Sequence, residues 1–395
     1  MFLKKTPKPK GTYLAITESY YDKEKKATRQ KTIMGLGYLE ELRKEFPDPI
    51  AYFEKVVADM NQEREEKKNS VVYVDLTAAL SPGERTLKNA GYGVLKHIYK
   101  ELQLDIFWRT KTWNLSLSYN IEEIFRLLII SQILYPQLPW KDAINQVPYF
   151  ENPAPFQEED LQQALQLIQK YQRDIQKWLY DHSANVLSRN FNRIHHEEAD
   201  YTFFRQTSST SARKSAFRRS GPAVHMDFLT DQLGIPIAYD LSIRGTMLNQ
   251  SISNAARRIS RDHLNGQSPE EFVFQSSERD AVSEFYAYME SALAIPKSSM
   301  MAASSEELDQ AVSAQVIISF TAFTILRILE AKLDFAFSRE QITSSLLNYN
   351  CMQIAGNIYQ FTYYDSLLAA CEASLGLELH NKYRSQLQIR RLLRY

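Results

Sequence analysis

Glycine is scarce in this chain, with only 12 glycines among 395 residues. The phosphate-binding loops of many nucleotide enzymes need closely spaced glycines, and the chain contains neither a P-loop nor a dinucleotide-binding fingerprint. Cysteine is scarcer still, because Cys351 and Cys371 are the only two and their spacing fits neither a disulfide framework nor a metal site. These shortages argue against the common nucleotide-binding classes and indicate a reduced, cytoplasmic compartment.

Net charge and long apolar runs are also missing. The 47 Lys and Arg residues balance 47 Asp and Glu residues, so only local clustering can indicate a nucleic-acid partner. The most apolar stretch, residues 311–329, contains Gln315 and Arg327 and is short for a membrane span, so we predict a buried core helix. No long apolar segment follows the first lysines, and no signal peptide is predicted. With 23 Tyr and 20 Phe, the chain has the composition of two or three folded domains.

The spacing of apolar residues predicts a mixed α/β protein. In chain order, the pattern predicts a β-hairpin at 12–38, a short strand at 71–76, a mostly helical region at 88–190, strands at 194–204, 224–230 and 235–242, and helices at 250–263, 279–294 and 305–337. A helix is also predicted to begin at Asp48-Pro49, because aspartate caps a helix and proline suits its first turn.

Three basic segments suit contacts with the phosphates of a nucleic acid. Residues 1–31 hold nine Lys or Arg against three acids, residues 205–220 hold five and no acid, and residues 250–263 are basic and helical. Arginine can bind a phosphate through two parallel hydrogen bonds. The candidate DNA-binding residues are Lys4, Lys5, Lys8, Lys10, Arg29, Lys31, Arg213, Lys214, Arg218, Arg219, Arg257, Arg258 and Arg261. A solvated terminus and a solvated loop are the alternative interpretations.

Three stretches of the chain resemble a known family. They are Gly-Thr-Tyr-Leu-Ala-Ile-Thr-Glu-Ser-Tyr-Tyr-Asp (11–22, with 32–39 and 48–53), Gly-Ile-Pro-Ile-Ala-Tyr-Asp-Leu (234–241) and Ile-Ile-Ser-Phe-Thr-Ala-Phe-Thr-Ile-Leu-Arg-Ile-Leu-Glu (317–330). They resemble bacterial insertion-sequence transposases of the DDE class, in the branch whose third acid lies in a Tyr-x2-Arg-x3-Glu-x6-Lys helix. The resemblance implies an RNase H-like core in which three carboxylates hold two Mg²⁺ ions that cut and join DNA.

The first two acids that the resemblance requires are only partly present. Glu197 takes the first acidic position, and Asp200, three residues later, is expected on the opposite face of an unbroken strand. Leu248 stands at the second acidic position, where a hydrocarbon cannot bind a metal ion. Asp227 and Asp240 are nearby carboxylates that do not occupy the matching position.

The third acid is better preserved. Glu290 is followed by Lys297, which keeps the Glu-x6-Lys spacing, although Ser283 and Tyr286 stand at the preceding Tyr and Arg positions. Only 41 residues separate Leu248 from Glu290, so the long insertion of close relatives is much shortened. The candidate catalytic residues are Glu197, Asp240, Glu290 and Lys297. The candidate metal ligands are Glu197, Asp200 and Glu290.

Two other interpretations of these acidic segments stay open. In the first, Glu197 and Glu290 are ordinary acidic residues at the surface or in ion pairs. In the other, His195 and His196 hold a transition metal with their acidic neighbours, although adjacent strand residues point to opposite faces.

These patterns lead to one predicted architecture. Residues 1–80 form a basic hairpin and helix that binds DNA, residues 81–190 a helical domain, residues 191–345 the RNase H-like core with a short mixed or antiparallel sheet, and residues 346–395 a helical tail. The resemblance implies DNA, at transposon ends, as the partner, with a homodimer as a further candidate, no membrane and a place near the nucleoid. We expect strand transfer to be weak or lost. A non-catalytic DNA-binding derivative and a helical interaction protein are the alternatives.

Overall fold

The structure, a computed structural model, describes most of the chain as two compact units. The described residues are 1–22, 27–43, 46, 48–68, 77, 79–136, 138, 140–144, 149–151, 156–187, 189, 194–202, 223–243, 254–263, 273–275 and 305–393. The first unit spans Met1–Thr77 and the second Ala78–Tyr395. The predicted mixed α/β class with antiparallel sheets is confirmed. The strand predicted at 71–76 and the helix predicted at 279–294 lie outside the described residues.

The first unit is a three-stranded antiparallel sheet with two helices. Its elements are β1 (Phe2–Lys8), β2 (Gly11–Asp22), β3 (Ala27–Tyr38), α1 (Leu39–Leu42) and α2 (Pro49–Lys68). β2 and β3 form the predicted hairpin, and β1 pairs with β2 along its whole length. Sequence reasoning treated β1 as a basic arm. Its Pro7 is compatible with a strand because β1 lies at the sheet edge, where a backbone donor is not required.

The start of α2 follows the predicted capping. The Asp48 Oδ1 accepts hydrogen bonds from the backbone N–H groups of Ile50 and Ala51, each at 3.1 Å. These bonds satisfy two of the donors that a helix leaves unpaired in its first turn. Leu14 and Ile16 of β2 are buried and form the centre of this small unit.

The second unit combines two small sheets with a helical core. Its elements are β4 (Leu87–Asn89), α3 (Tyr92–Glu101), α4 (Leu104–Thr112), α5 (Ile121–Leu134), α6 (Trp140–Ile144), α7 (Glu158–Lys170), α8 (Gln172–Leu187), β5 (Ile194–Thr202), β6 (Ala223–Thr230), β7 (Pro236–Ile243), α9 (Asn254–His263), β8 (Val273–Gln275), α10 (Ser305–Lys332), α11 (Arg339–Asn348), β9 (Asn350–Ala355), β10 (Ile358–Phe361), α12 (Ser366–Leu375), β11 (Tyr383–Ser385) and α13 (Gln386–Leu392). The helical region predicted at 88–190 is confirmed. Its second half is interrupted at Tyr171, where α7 ends and α8 begins.

The long helix α10 forms the centre of this unit. It packs against α3, α5, α7, α8 and β7. Among the described residues, one segment, Val312–Lys332, is long and apolar enough to cross a membrane, and 94% of its most apolar window is buried inside the protein. The predicted core helix is therefore confirmed. It ends before the expected Phe337, because Asp334 and Phe335 adopt left-handed backbone angles, with φ of 53° and 54°.

A four-stranded mixed sheet lies beside α10, in the order β7-β6-β5-β8. β5, β6 and β7 are antiparallel neighbours, whereas β8 runs parallel to β5. One face of the sheet packs on α10, where Phe228 and Tyr239 lie against Phe320. The other face packs on α9, whose Ala256 and Ile259 are buried in a separate apolar cluster. The strands predicted at 224–230 and 235–242 are confirmed, and β8 was not predicted.

The last part of the chain contains strands as well as helices. The second sheet has the order β11-β10-β9-β4, so it joins a strand from the start of the unit to strands near its end. Asn89 secures this junction, because its Nδ2 donates to the Leu346 carbonyl oxygen at 2.8 Å. The helical tail expected at 346–395 therefore holds β9, β10 and β11 in addition to α12 and α13. Cys351 and Cys371 are fully buried here, and burial raises the pKa of each thiol to about 12.

Candidate functional site

Three acidic residues occupy matching register positions in neighbouring strands of the mixed sheet. Glu198 of β5 is the register partner of Asp227 on β6, and Asp227 is in turn the partner of Asp240 on β7. Register partners in neighbouring strands share a face, with Cβ atoms about 5 Å apart. This row lies on the α9 side of the sheet, because Leu229 and Ala238, two residues away on β6 and β7, are buried against α9.

The register also places the predicted acids of β5. Glu197 pairs with Phe228, whose own partner on β7 is Tyr239, so it belongs to the face that packs on α10. Asp200 lies in the same unbroken strand at odd spacing from Glu197 and belongs to the opposite face. Asp200 therefore shares a face with Asp240, whereas Glu197 does not.

The Asp240 carboxylate forms an ion pair with Arg258 of α9. Arg258 donates from Nη1 to the Asp240 Oδ1, and its Nη2 donates to the Tyr239 carbonyl oxygen at 3.1 Å. Both charged side chains are only about a fifth exposed, at 22% for Arg258 and 21% for Asp240. The guanidinium neutralises the negative charge of the Asp240 carboxylate. A hard metal ion such as Mg²⁺ would need that charge for binding.

Asp227 has a different neighbour. The His196 Nε2 lies 3.3 Å from the Asp227 Oδ1, and the histidine is buried. His195 pairs in register with Thr230 and belongs to the other face of β5. The two adjacent histidines are thus directed apart. Within the part of the chain that the structure describes, no three His, Cys, Asp or Glu side chains are grouped closely enough to hold a metal ion.

Several predicted site residues lie outside the described residues. They are Leu248, Ser283, Tyr286, Glu290, Lys297 and the basic residues Arg213, Lys214, Arg218 and Arg219. Whether Glu290 approaches Glu197 or Asp200 stays a prediction.

A buried ion pair holds the turn between β6 and β7. The Arg189 Nε donates to the Asp231 Oδ2 at 2.6 Å, and its two terminal nitrogens donate to the Ser183 hydroxyl at 2.6 Å and to the Ile235 and Pro236 carbonyl oxygens at 2.9 and 3.2 Å. Burial lowers the pKa of the Arg189 guanidinium, and the charge of Asp231 opposes that shift. This pair was not predicted from the sequence.

The basic residues of α9 lie beside a cleft. A cavity of about 180 Å³ is bounded by α8, β7 and α9. Of the three predicted arginines, Arg258 and Arg261 line this cavity, and Arg257 is exposed outside its lining. Two further cations, Arg173 and Lys177, approach from α8 and were not among the predicted contacts.

The basic residues of the first unit divide between two faces of its sheet. Lys4 and Lys8 lie on one face of β1, and Lys5 lies on the other face. Lys5 is paired with Glu54 of α2 at 3.0 Å. The Lys4 Nζ donates to the neutral Gln30 Oε1 at 2.7 Å.

Three of the remaining basic candidates complete this picture. Arg29 and Lys31 pair in register with Tyr20 and Glu18 and are exposed, and Lys10 lies in the turn between β1 and β2. Lys8 lies 4.2 Å from the centre of the Tyr13 ring. Lys4 and Lys8 form no ion pair with any described residue.

Comparison with known proteins places the first unit. Residues 3–71 match the family model for the N-terminal domain of IS1634 family transposases. No curated protein matches the chain, and no solved structure matches it. The match supports an insertion-sequence transposase, as the sequence resemblance indicated, and it covers well under half of the chain.

Proposed function

We propose that this protein binds DNA as an insertion-sequence transposase, at transposon ends, and that its strand-transfer activity is weak or lost. The observation that carries the proposal is the match of residues 3–71 to a transposase N-terminal domain. That segment contains the three-stranded sheet except for Phe2, together with α2. On β1 it carries Lys4 and Lys8, which form no ion pair with a described residue. Lysines near a surface attract the phosphate backbone by counterion release.

The mixed sheet of the second unit supports an RNase H-like core. Its three antiparallel strands and one parallel strand make the short mixed sheet that the resemblance implies, with helices on both faces. Helix α10, which carries one of the three stretches that resemble the family, packs on β7. We assign the core to the sheet and its flanking helices α8, α9 and α10.

The described residues do not fit a site for two Mg²⁺ ions. Such a site needs several converging oxygen ligands, because Mg²⁺ prefers an octahedron of hard donors. Asp240 is already bound by Arg258, and Glu197 belongs to the other face of the sheet. With Leu248 at the second acidic position, we derive no catalytic step and propose that cleavage is impaired.

A binding titration tests the DNA-binding part of the proposal. Binding of the full chain to a fluorescein-labelled duplex is followed by anisotropy at several salt concentrations. Lys4→Gln and Lys8→Gln are each expected to reduce the slope of log Kd against log salt by about 1. Lys5→Gln is the matched control on the same strand. It is expected to lower the slope less than Lys4→Gln or Lys8→Gln does, because Lys5 lies on the opposite face of β1 and its Nζ is 3.0 Å from the Glu54 carboxylate. Absence of binding by the parent chain contradicts the proposal and favours the helical interaction protein.

A nicking assay tests the catalytic part. Supercoiled plasmid is incubated with the protein and Mg²⁺, and we expect little or no conversion to the nicked form. Glu290→Gln is the control for contaminating nuclease, because the variant lacks the best-preserved acid. Strong nicking by the parent that Glu290→Gln abolishes would show that the catalytic site is intact and that the predicted loss is wrong.

A further inference from the structure

The cleft between α8 and α9 has a strongly basic lining. Arg173 and Lys177 lie one turn apart on α8, and Arg258 and Arg261 lie one turn apart on α9. Asp174 is the single carboxylate among the lining residues. The two pairs of cations therefore border the same cavity from two helices that are distant in the sequence.

Among the described residues, the lining holds four cations and one carboxylate, so its formal charge is positive. Asp174 lies 3.1 Å from the Nζ of Lys111, a residue outside the lining, and both side chains are partly exposed. Asp181 is 3.9 Å from the Lys177 Nζ, and both side chains are nearly half exposed, where an ion pair is weak. Arg258 uses two of its N–H groups on Asp240 and Tyr239, and a guanidinium has five.

The size of the cleft suits a single phosphate group. Ile237, Ala238 and Ile259 form an apolar floor, and the cavity of about 180 Å³ has room for a phosphate group with a few water molecules. Burial raises the pKa of Tyr180, a buried residue of the lining, to about 12, so its hydroxyl stays neutral. Arg173, Lys177 and Arg261 are exposed at the rim, which leaves the cleft open at the surface.

We propose that this cleft binds backbone phosphates of DNA, with Arg173 and Lys177 on one side and Arg258 and Arg261 on the other. The inference rests on the proposed DNA-binding function and extends it to the second unit. It gives α8, predicted only as part of a structural helical region, a contact with the ligand. Arginine supplies the bidentate geometry for phosphate, and lysine adds a point charge.

A charge-removal experiment tests this site in the full chain. The triple variant Arg173→Gln/Lys177→Gln/Arg261→Gln removes three exposed cations and leaves the Arg258 contact with Asp240 in place. The slope of log Kd against log salt for duplex DNA is expected to become shallower by about 2 to 3, at roughly 0.9 for each lost phosphate contact. The matched control, Lys382→Gln/Arg390→Gln/Arg391→Gln, changes the net charge equally at exposed residues near the C-terminus and is expected to keep the parent slope.

A footprint gives a second readout that needs no variant. Lys177 is expected to be protected from amine acetylation when duplex DNA is added, whereas Lys382 is not. If the parent binds DNA but the cleft variant keeps its slope and Lys177 stays reactive, the cleft proposal is wrong and the proposed function stands. If the cleft and control variants lose the same slope, general charge explains the effect and the cleft proposal is again wrong. If the parent binds no DNA, both fail together.

Discussion

Two arginine–aspartate pairs in the β6–β7 region differ mainly in their access to water. Arg189 and Asp231 at the turn are almost completely buried, with side-chain exposures of 0% and 3%. Arg258 and Asp240 are about a fifth exposed. The donors of Arg189 are directed to Asp231, a hydroxyl and two carbonyl oxygens, whereas Arg258 borders an open basic cleft. The same chemical pair thus stabilises a turn where it is buried, and it borders the proposed DNA-binding cleft where it is partly exposed to water.

Loss of the dry pair should have the largest effect. In Arg189→Met, Asp231 stays buried without its cation, and breaking a buried pair in this way costs about 3 to 5 kcal/mol. The expected result is a large decrease in the urea midpoint of unfolding, followed by circular dichroism. Lys177→Met is the matched control at an exposed helix position and should change stability by less than about 0.5 kcal/mol. If Arg189→Met also changed the free energy of unfolding by so little, the distinction between the Arg189–Asp231 and Arg258–Asp240 pairs would be lost.

A third carboxylate provides an intermediate case. Glu330 of α10 is buried and accepts hydrogen bonds from the Arg327 Nη1 at 2.7 Å and the Arg339 Nε at 2.8 Å. Arg327 also donates to the Leu233 carbonyl oxygen in the β6–β7 turn, at 2.5 Å. Glu330→Gln keeps the shape but weakens two charge-assisted bonds, so we expect a loss of roughly 2 kcal/mol in the free energy of unfolding. A cost equal to that of Arg189→Met would show that the partial exposure of the two arginines, at 15% and 22%, does not weaken this cluster.

Loss of the wet pair should affect stability less and binding more. Arg258→Met leaves Asp240 partly solvated, so we expect a decrease of about 1 kcal/mol in the free energy of unfolding. The same variant should weaken DNA binding, because one cation of the cleft is lost. The measurement is a pair of titrations, with urea and with labelled duplex. Unchanged DNA affinity together with strong destabilisation would make this pair structural, like Arg189 and Asp231.

The smallest expected effect is a pH dependence at Glu101. Burial raises the pKa of its carboxyl, but hydrogen bonds from His97 and Lys332 outweigh that effect and leave the pKa below its ordinary value of 4.5. A carboxyl whose pKa is lower in the folded state stabilises the fold. This stabilisation is fully present at a pH above the ordinary pKa, and it is lost as the pH falls through the lower pKa of the folded state. For a group about one-third exposed, the contribution should be less than about 1 kcal/mol. The urea midpoint of unfolding should therefore decrease less steeply with falling pH in Glu101→Gln than in the parent. Parallel plots of the midpoint against pH would contradict this prediction.

Local signals in the sequence were sufficient for much of the fold. The Asp48 cap, the hairpin and the apolar period of α10 each depend on residues close together in the chain. Strand alternation was enough to separate Glu197 from Asp200 before any pairing was known. These features were predictable because their physical causes act over one or two turns or strands.

Long-range pairings could not be read in the same way. Arg189 and Asp231 are 42 residues apart, and no periodicity links them. The cleft is bounded by α8, β7 and α9, which are far apart in the sequence. Arg173 and Lys177 therefore appeared in the sequence only as polar residues of a structural helix. β1 was hidden for a different reason, because its lysines and Pro7 are unusual for a strand and are tolerated only at a sheet edge.

The most direct test of the central claim is the salt dependence of DNA binding by the full chain. Contacts between basic side chains and phosphates release counterions, so log Kd should rise linearly with log salt, with a slope of several units at roughly 0.9 for each contacted phosphate. Binding that is absent at low salt, or that does not change as salt is raised, would contradict a protein that recognises DNA through its basic surfaces.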